Sequence, residues 1–182
     1  MDVHVAIQRR RAYRSLEPVE ITTDLVHDLA TCSSLAPSCF NKQPWRYVFV
    51  FGSNRLAELH DALSKGNEWC RDASLIVAVY SRHDYDCEIT GREYYLFDTG
   101  LSVGLMIMRA TELGLVAHPI AGFDEEAVKK ILAIPDEMKV ITLVMVGRHA
   151  ASPTPNLSQK QTETEGRRPE RLPVDEFVRI VS

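Results

Sequence analysis

The chain has 182 residues, of which 45% are hydrophobic and 25% charged; this is the balance of a globular domain with a sizeable core, not of a disordered or fibrous chain. Its net charge of −4 argues against a general nucleic-acid binder. No apolar run is long enough to span a bilayer, Leu101 to Ala110 being the closest, and no apolar leader opens the chain, so a cytoplasmic setting is expected.

Asp2 to Gln8 carries Val3, Ala6 and Ile7 at helical spacing, and Arg9, Arg10, Arg11 and Arg14 follow at its C-terminal end. Thr22 or Thr23 caps a second helix bearing Leu25, Val26 and Leu29. A strand at about Arg46–Phe51 precedes a helix capped by Ser53, carrying Leu56, Leu59 and Leu63 and ending near Gly66. Leu75 to Tyr80 reads as a buried strand. From Asp98 to Leu113 apolar residues occupy every side of a helical wheel, with Gly100 and Gly104 allowing close backbone approach. A helix apolar all round must be covered all round, which a chain this small does with a second copy of itself. Asp124 caps a further helix stopped by Pro135, and Val140 to Val146 is a third strong strand ended by Gly147. From His149 to Arg168 the chain is polar and proline-bearing and reads as an extended surface excursion; Val174 to Val181 recovers strand character. No repeat or second domain is visible. The irregular alternation of strands and long helices predicts an α+β fold, not a doubly wound parallel one.

One loop stands apart. Pro37 to Trp45 is polar and bracketed by Pro37 and Pro44, which fix φ and stiffen it even in the unfolded chain. Ser38, Asn41 and Gln43 supply donors and acceptors suited to a flat, polar ligand. Read alone, the loop is equally a rigid turn around a core Trp.

The four arginines within six positions, Arg9 to Arg14, exceed what a helix dipole requires. Their forked guanidinium groups suit bidentate contact with a phosphate. Arg167, Arg168 and Arg171 form a second basic cluster near the end, equally readable as a solvated face. Cys32, Cys39, Cys70 and Cys87 have neither metal-ligand spacing nor the density of a disulfide framework, and are expected to be reduced. In that setting the Asn156-Leu157-Ser158 sequon has no role. His83 to Cys87 reads as a polar loop and His118 as a packed, hydrogen-bonded histidine. There is no GxGxxG after a strand, no GxxxxGK[ST] and no GxSxG. Gly114 to Phe123 is small and apolar between glycines, so its backbone could lie against a planar ring or simply be a tight helix exit.

In order, these features resemble the FMN-dependent nitroreductase family over nearly the whole chain. Arg10-Arg11-Ala12-Tyr13-Arg14 resembles its RRSxR start, and Pro37, Ser38, Asn41, Gln43, Pro44 and Trp45 match its PSxxNxQPW loop. Phe97-Asp98-Thr99-Gly100 resembles the opening of its long helix, Gly114-Leu115 through Gly122-Phe123-Asp124 the GLG…GFD exit, and Arg171-Leu172-Pro173 the closing basic motif. The resemblance implies a nitroreductase-like α+β sandwich with a central mixed or antiparallel sheet. It also implies a domain-swapped homodimer, with residues 1–182 as one FMN-binding domain and 149–182 as a C-terminal arm. Carried over, Arg10, Arg11, Ala12 and Arg14 would meet FMN from one subunit, and Pro37, Ser38, Cys39 and Asn41 from the other. Asn67 would lie near the pyrimidine side, and Pro119, Ile120, Ala121 and Gly122 would pass the ring, a backbone N–H of Ala121 or Gly122 facing flavin N5. Arg168 or Arg171 would close on the phosphate. Ala12 replaces the usual Ser, Ala121 stands where many members are acidic, and no Lys follows Asn67, which leaves Arg14 to balance charge at N1–C2=O.

The implied activity is ping-pong transfer of hydride from NADH or NADPH through FMN to a nitroaromatic, quinone or similar conjugated acceptor, with no catalytic side chain and no metal. Acceptor choice falls to Tyr85 to Phe97, and to Trp69. The alternatives are specialised flavin chemistry on the same fold (flavin fragmentation, dehalogenation, azoline oxidation) and a non-enzymatic flavin-binding regulatory module.

Overall fold

The computed structural model describes residues 1–181. Asp2 opens helix α1 (Val3–Arg9) by accepting from the N–H groups of His4 and Val5. Strand β1 (Leu16–Glu17) leads to helix α2 (Thr23–Ser34), capped by Thr22. After the proline-bracketed loop come strand β2 (Arg46–Phe51), helix α3 (Ser53–His60) and strand β3 (Leu75–Ser81). A small hairpin, β4 (Glu88–Ile89) and β5 (Arg92–Glu93), precedes the long helix α4 (Tyr95–Glu112). Strand β6 (Val116–Ile120), helix α5 (Glu125–Leu132), strand β7 (Lys139–His149) and helix α6 (Gln159–Glu165) complete the order.

Every strand pairing is antiparallel, so the expected α+β class holds with an antiparallel central sheet. β3 lies between β2 and β7, and β7 also pairs with β6 and, at its end, with β1. Because side chains alternate across a strand, β3 feeds two cores. Leu75, Val77 and Val79 pack with Leu29 of α2 and with Val103, Met106 and Ala110 of α4. Ile76 and Ala78 face Leu56 and Leu59 of α3, Trp69 and Val128 of α5. Helices on both sides explain why β3 and β7 are uninterrupted apolar runs in the sequence despite antiparallel pairing.

Several boundaries differ from expectation for identifiable reasons. Helix α3 stops at His60 because residues 62–64 bond instead to residues 122–124, with Asp124 N–H on the Ala62 carbonyl at 2.7 Å and Ser64 N–H on the Gly122 carbonyl at 3.0 Å. Helix α4 starts at Tyr95, ahead of Asp98, whose carboxylate accepts from the Cys39 N–H at 2.7 Å. Its solvent side is also less covered than an all-round apolar wheel suggests, since Phe97 is 62% exposed and Leu101 and Leu105 lie open beside it. Helix α5 ends before Pro135, at Ala133 in the left-handed region (φ 52°). Gly147 does not end β7. A Cβ there would sit 3.2 Å from Leu16 Cβ, so the glycine admits β1 onto the strand.

The polar excursion is not simply extended, because α6 forms inside it with a reciprocal Ser158–Gln161 capping box. That helix is held by polar contacts and not by an apolar stripe, which is why hydrophobic periodicity did not reveal it. Among the described residues the tail from Val174 pairs with no strand of its own chain; Leu172, Val174, Phe177, Ile180 and Val181 are exposed. The expectation of four reduced cysteines also fails. Cys39 and Cys87 form a disulfide across 48 positions, a pairing made by the fold and invisible in the spacing, while Cys32 and Cys70 are free.

His118 of β6 seats the arginine-rich segment. Its Nδ1 lies 3.0 Å from the Tyr13 carbonyl and its ring leans on Trp69 at 4.6 Å between centroids. Burial above all, with Arg14 and Arg10 nearby, holds its pKa below the ordinary 6.5. The unfolded chain therefore takes up a proton near 6.5 that the folded chain accepts only at lower pH, so stability falls as pH drops through that window. His60, depressed chiefly by burial as well, acts in the same direction. Urea unfolding from about pH 8 to about pH 5 should show this decline, and His118→Asn should remove His118's share of it. At the β1–β7 contact, Gly147→Val should cost about 1–3 kcal/mol in the same assay. Gly166→Ala, whose Cβ meets nothing within 4 Å, should stay within about 0.5 kcal/mol.

Candidate functional site

The two arginine clusters, far apart in sequence, meet in one cavity of about 350 Å³. Arg10, Arg11, Ala12 and Arg14 line it from the segment between α1 and β1, and Arg167, Arg168 and Arg171 from the segment after α6. His118 of β6 and Glu165 of α6 complete the wall. The two predicted clusters therefore share one cavity, although Arg167, Arg168 and Arg171 of the second are also exposed to solvent.

Glu165 is what joins them. It is 6% exposed, and its Oε1 accepts from the backbone N–H groups of Arg14 and Ser15, each at 2.7 Å. Its own carbonyl accepts from Arg11 Nη2 at 3.3 Å. Arg168 Nη2 donates to the carbonyls of Gln8 and Arg10, whereas Arg171 Nη1 donates only to its near neighbours Pro169 and Glu170. The Arg10 guanidinium is held below its ordinary pKa by burial first, then by the charges of Arg168, Arg171 and Arg11. Cations crowded against a buried one in this way form an anion site. Glu165 was missed in the sequence because it lies in the polar stretch; the Ser158-x-x-Gln161 pattern was the signal that a helix, and so a positioned carboxylate, was there.

The backbone after β6 adjoins Asn67. Asn67 Nδ2 donates to the Gly122 carbonyl at 2.8 Å, and a Cβ on Gly122 would come within 2.4 Å of that nitrogen, so a side chain there would displace the Asn67 amide. Pro119 and Ala121 face outward while Ile120 is buried. No hydrogen bond among the described residues uses the N–H of Ala121 or Gly122. Gln161 of α6 reaches the Gly66 carbonyl at 2.9 Å, tying the same helix to this loop.

The Pro37–Trp45 loop is placed elsewhere. Pro37, Ser38, Cys39 and Asn41 do not line the arginine cavity. Phe40, Asn41 and Gln43 all have positive φ (48°, 56° and 49°), an expensive geometry for non-glycine residues that concentrates at functional sites. Ser38 Oγ accepts from the Gln43 N–H, Cys39 N–H is fixed by Asp98, and the Pro44 carbonyl accepts from buried Ser81. Phe40 stands 87% exposed at the tip, a feature the sequence did not single out. Against the loop lies the segment from Arg82 to Tyr94, whose Tyr85 sits between the guanidinium groups of Arg46 and Arg82, each 4.8 Å away.

The nitroreductase family model matches residues 7–68 and 53–148. MhqN of Bacillus subtilis, assigned by name to the NAD(P)H nitroreductases, is 26% identical over 211 residues, covering 96% of each chain. Iodotyrosine deiodinase of Haliscomenobacter hydrossis is 26% identical over 184 residues, covering 85% of this chain and 82% of its own. A solved structure described as an oxidoreductase containing FMN superposes with a TM-score of 0.83 at 25% identity, over 95% of this chain and 88% of that one. The chain belongs to the nitroreductase family.

Proposed function

We propose that the chain is an FMN-dependent oxidoreductase that moves hydride from NADH or NADPH to a nitroaromatic, quinone or similar conjugated acceptor by a ping-pong route. The observation that carries this reading is the meeting of both arginine clusters in one cavity. An arginine-walled site suits the phosphate of FMN, and the side-chain-free backbone at Gly122, bonded to Asn67, suits the edge of its ring. The name of the FMN-containing structure and of MhqN support it further. Bound there, FMN supplies the hydride chemistry.

The chain's own residues then bind, orient and set the field. Arg10 and Arg11 face the phosphate and ribityl chain, and Arg171, held only by local carbonyls, closes on the phosphate while Arg168 braces the Gln8–Arg10 backbone. Arg14 offers a cation beside the pyrimidine edge, opposing the negative charge that arrives with hydride. Asn67 holds Gly122, leaving the N–H of Ala121 or Gly122 to face the ring. No side-chain acid or base and no metal enter the reading.

The site is completed by a second copy. Phe97, Leu101 and Leu105 of α4 are open, and an apolar groove of about 480 Å³ runs beside them, lined by Val3, Ile7, Leu35 and Met108. β2 has an unpaired edge and the tail from Leu172 is apolar and exposed, so exchange of tails between two copies would cover both. In this homodimer Pro37, Ser38, Cys39 and Asn41 serve the partner's cofactor, which accounts for their place away from the arginine cavity. Residues 1–182 then act as one FMN-binding domain, with 149–182 as the arm. No helix among the described residues is long and apolar enough to cross a membrane, and a donor of the NADH type fits a cytoplasmic setting. Dehalogenation on the same scaffold is a second reading, favoured by the similarity to the deiodinase; product analysis after anaerobic turnover with iodinated phenols and with nitroaromatics separates the two.

Anaerobic addition of NADH and of NADPH to FMN-loaded protein should bleach the flavin band; a yellow protein that neither decolourises would overturn the enzymatic reading. Arg14→Ala should weaken FMN binding about tenfold to a hundredfold in a fluorescence titration and slow the bleaching. Unchanged values for both would remove Arg14 from its role. Leu105→Glu should yield a monomer by light scattering that releases FMN, whereas a monomer retaining FMN tightly would place the loop wrongly.

A further inference from the structure

The disulfide joins two segments that otherwise touch lightly. Cys39 belongs to the strained loop, and Cys87 to the segment between β3 and α4. Apart from the S–S bond, the hydrogen bond that joins loop and segment among the described residues is Lys42 Nζ on the Asp86 carbonyl at 3.1 Å, and just past the loop Arg46 of β2 lies over the Tyr85 ring. In both, an exposed cation meets a more buried partner. Three left-handed residues in four positions persist only where the surroundings over-determine them, and the cross-link is the one covalent constraint on that geometry. Cys39 is partly exposed while Cys87 is buried, so an incoming thiol reaches the bond from the loop side. The two free cysteines lie on other elements, with Cys32 partly exposed in α2. Cys70 is buried, and burial pushes its thiol up to about 12.

We propose that the Cys39–Cys87 bond is a thiol–disulfide latch, which when closed pins the Pro37–Trp45 loop to the Arg82–Tyr94 segment and when opened by a dithiol lets both relax. The exchange balances as a two-electron reduction. A thiolate of the dithiol attacks Cys39 Sγ, the bond to Cys87 breaks, and Cys87 leaves as a thiolate and takes a proton. The second thiol of the reductant then displaces Cys39, which is protonated in turn, and the reductant departs as its own disulfide. In the reading above, the loop is a wall of the partner's flavin site and the segment borders the acceptor's approach. The consequence for flavin rests on that reading: opening the latch loosens FMN and widens the site. The mechanical consequence, release of the loop, does not depend on it.

The test uses the full chain, air-oxidised or treated with tris(2-carboxyethyl)phosphine, alongside Cys87→Ser and Cys87→Ala. Alkylation under denaturing conditions should find two reactive cysteines in the oxidised protein and four in the reduced one. In FMN-free protein, trypsin should cut after exposed Lys42 about tenfold faster once the bond is reduced, and equally fast in both variants without reductant. In FMN-loaded protein, reduction should weaken FMN binding about tenfold, again matched by the variants. Four reactive cysteines after oxidation, or identical Lys42 cleavage in the two redox states, would overturn the latch. Faster cleavage with no FMN bound in either state would keep the latch and overturn the flavin reading instead.

Discussion

Glu165 carries a buried carboxylate whose Oε1 is spent on the backbone N–H groups of Arg14 and Ser15 at 2.7 Å, with His149 Nε2 farther off at 4.0 Å. Charge-assisted hydrogen bonds of this kind are about twice as strong as neutral ones, and removing the acceptor would leave two donors to be satisfied elsewhere. The arrangement fixes where the segment Arg10–Arg14 runs and, through the same helix, where Arg167, Arg168 and Arg171 begin. With Arg168 reaching back to the Gln8 and Arg10 carbonyls, the chain is closed on itself around the arginine cavity. The crowding of Arg10 by Arg168, Arg171 and Arg11 is the electrostatic result, and a bound anion would relieve it.

That closure needs a rigid base. β3 and β7 are buried on both faces, with α2 and α4 on one side and α3 and α5 on the other. Each fully buried aliphatic side chain contributes roughly 1.5–3 kcal/mol, so the layers hold register firmly. β6 extends the same sheet and delivers His118 to the wall of the cavity. His118 then couples the sheet to the arginine segment through the Tyr13 carbonyl, while Trp69 fills the space beneath it. Gly147 has a matching role one strand over, since the absent side chain is where Leu16 packs.

Much of this was legible in the residues alone. Strands β2 and β3 and the caps Thr22 and Asp124 followed from alternation, apolar runs and capping chemistry, because these are local rules. Where local rules misled, a tertiary partner had claimed the group. Gly147 looked like a stop and instead admits Leu16; residues 62–64 left the helix to bond with 122–124. Helix α6 escaped notice because its anchor is a carboxylate and a capping box, which carry no hydrophobic period.

By itself, then, the sequence determined the inventory: the antiparallel sheet's apolar strands, two arginine clusters, a stiff polar loop and a glycine-bounded segment, each readable because its physics is local. Only the tertiary structure decided that the two clusters are one cavity, that Glu165 joins them, that Cys39 is bonded to Cys87, and that the stiff loop stands away from the arginines of its own chain. These depend on contacts between residues tens to more than a hundred positions apart. No residue's own propensity reports such a contact, because its energy exists only once the sheet and helices have brought the partners together.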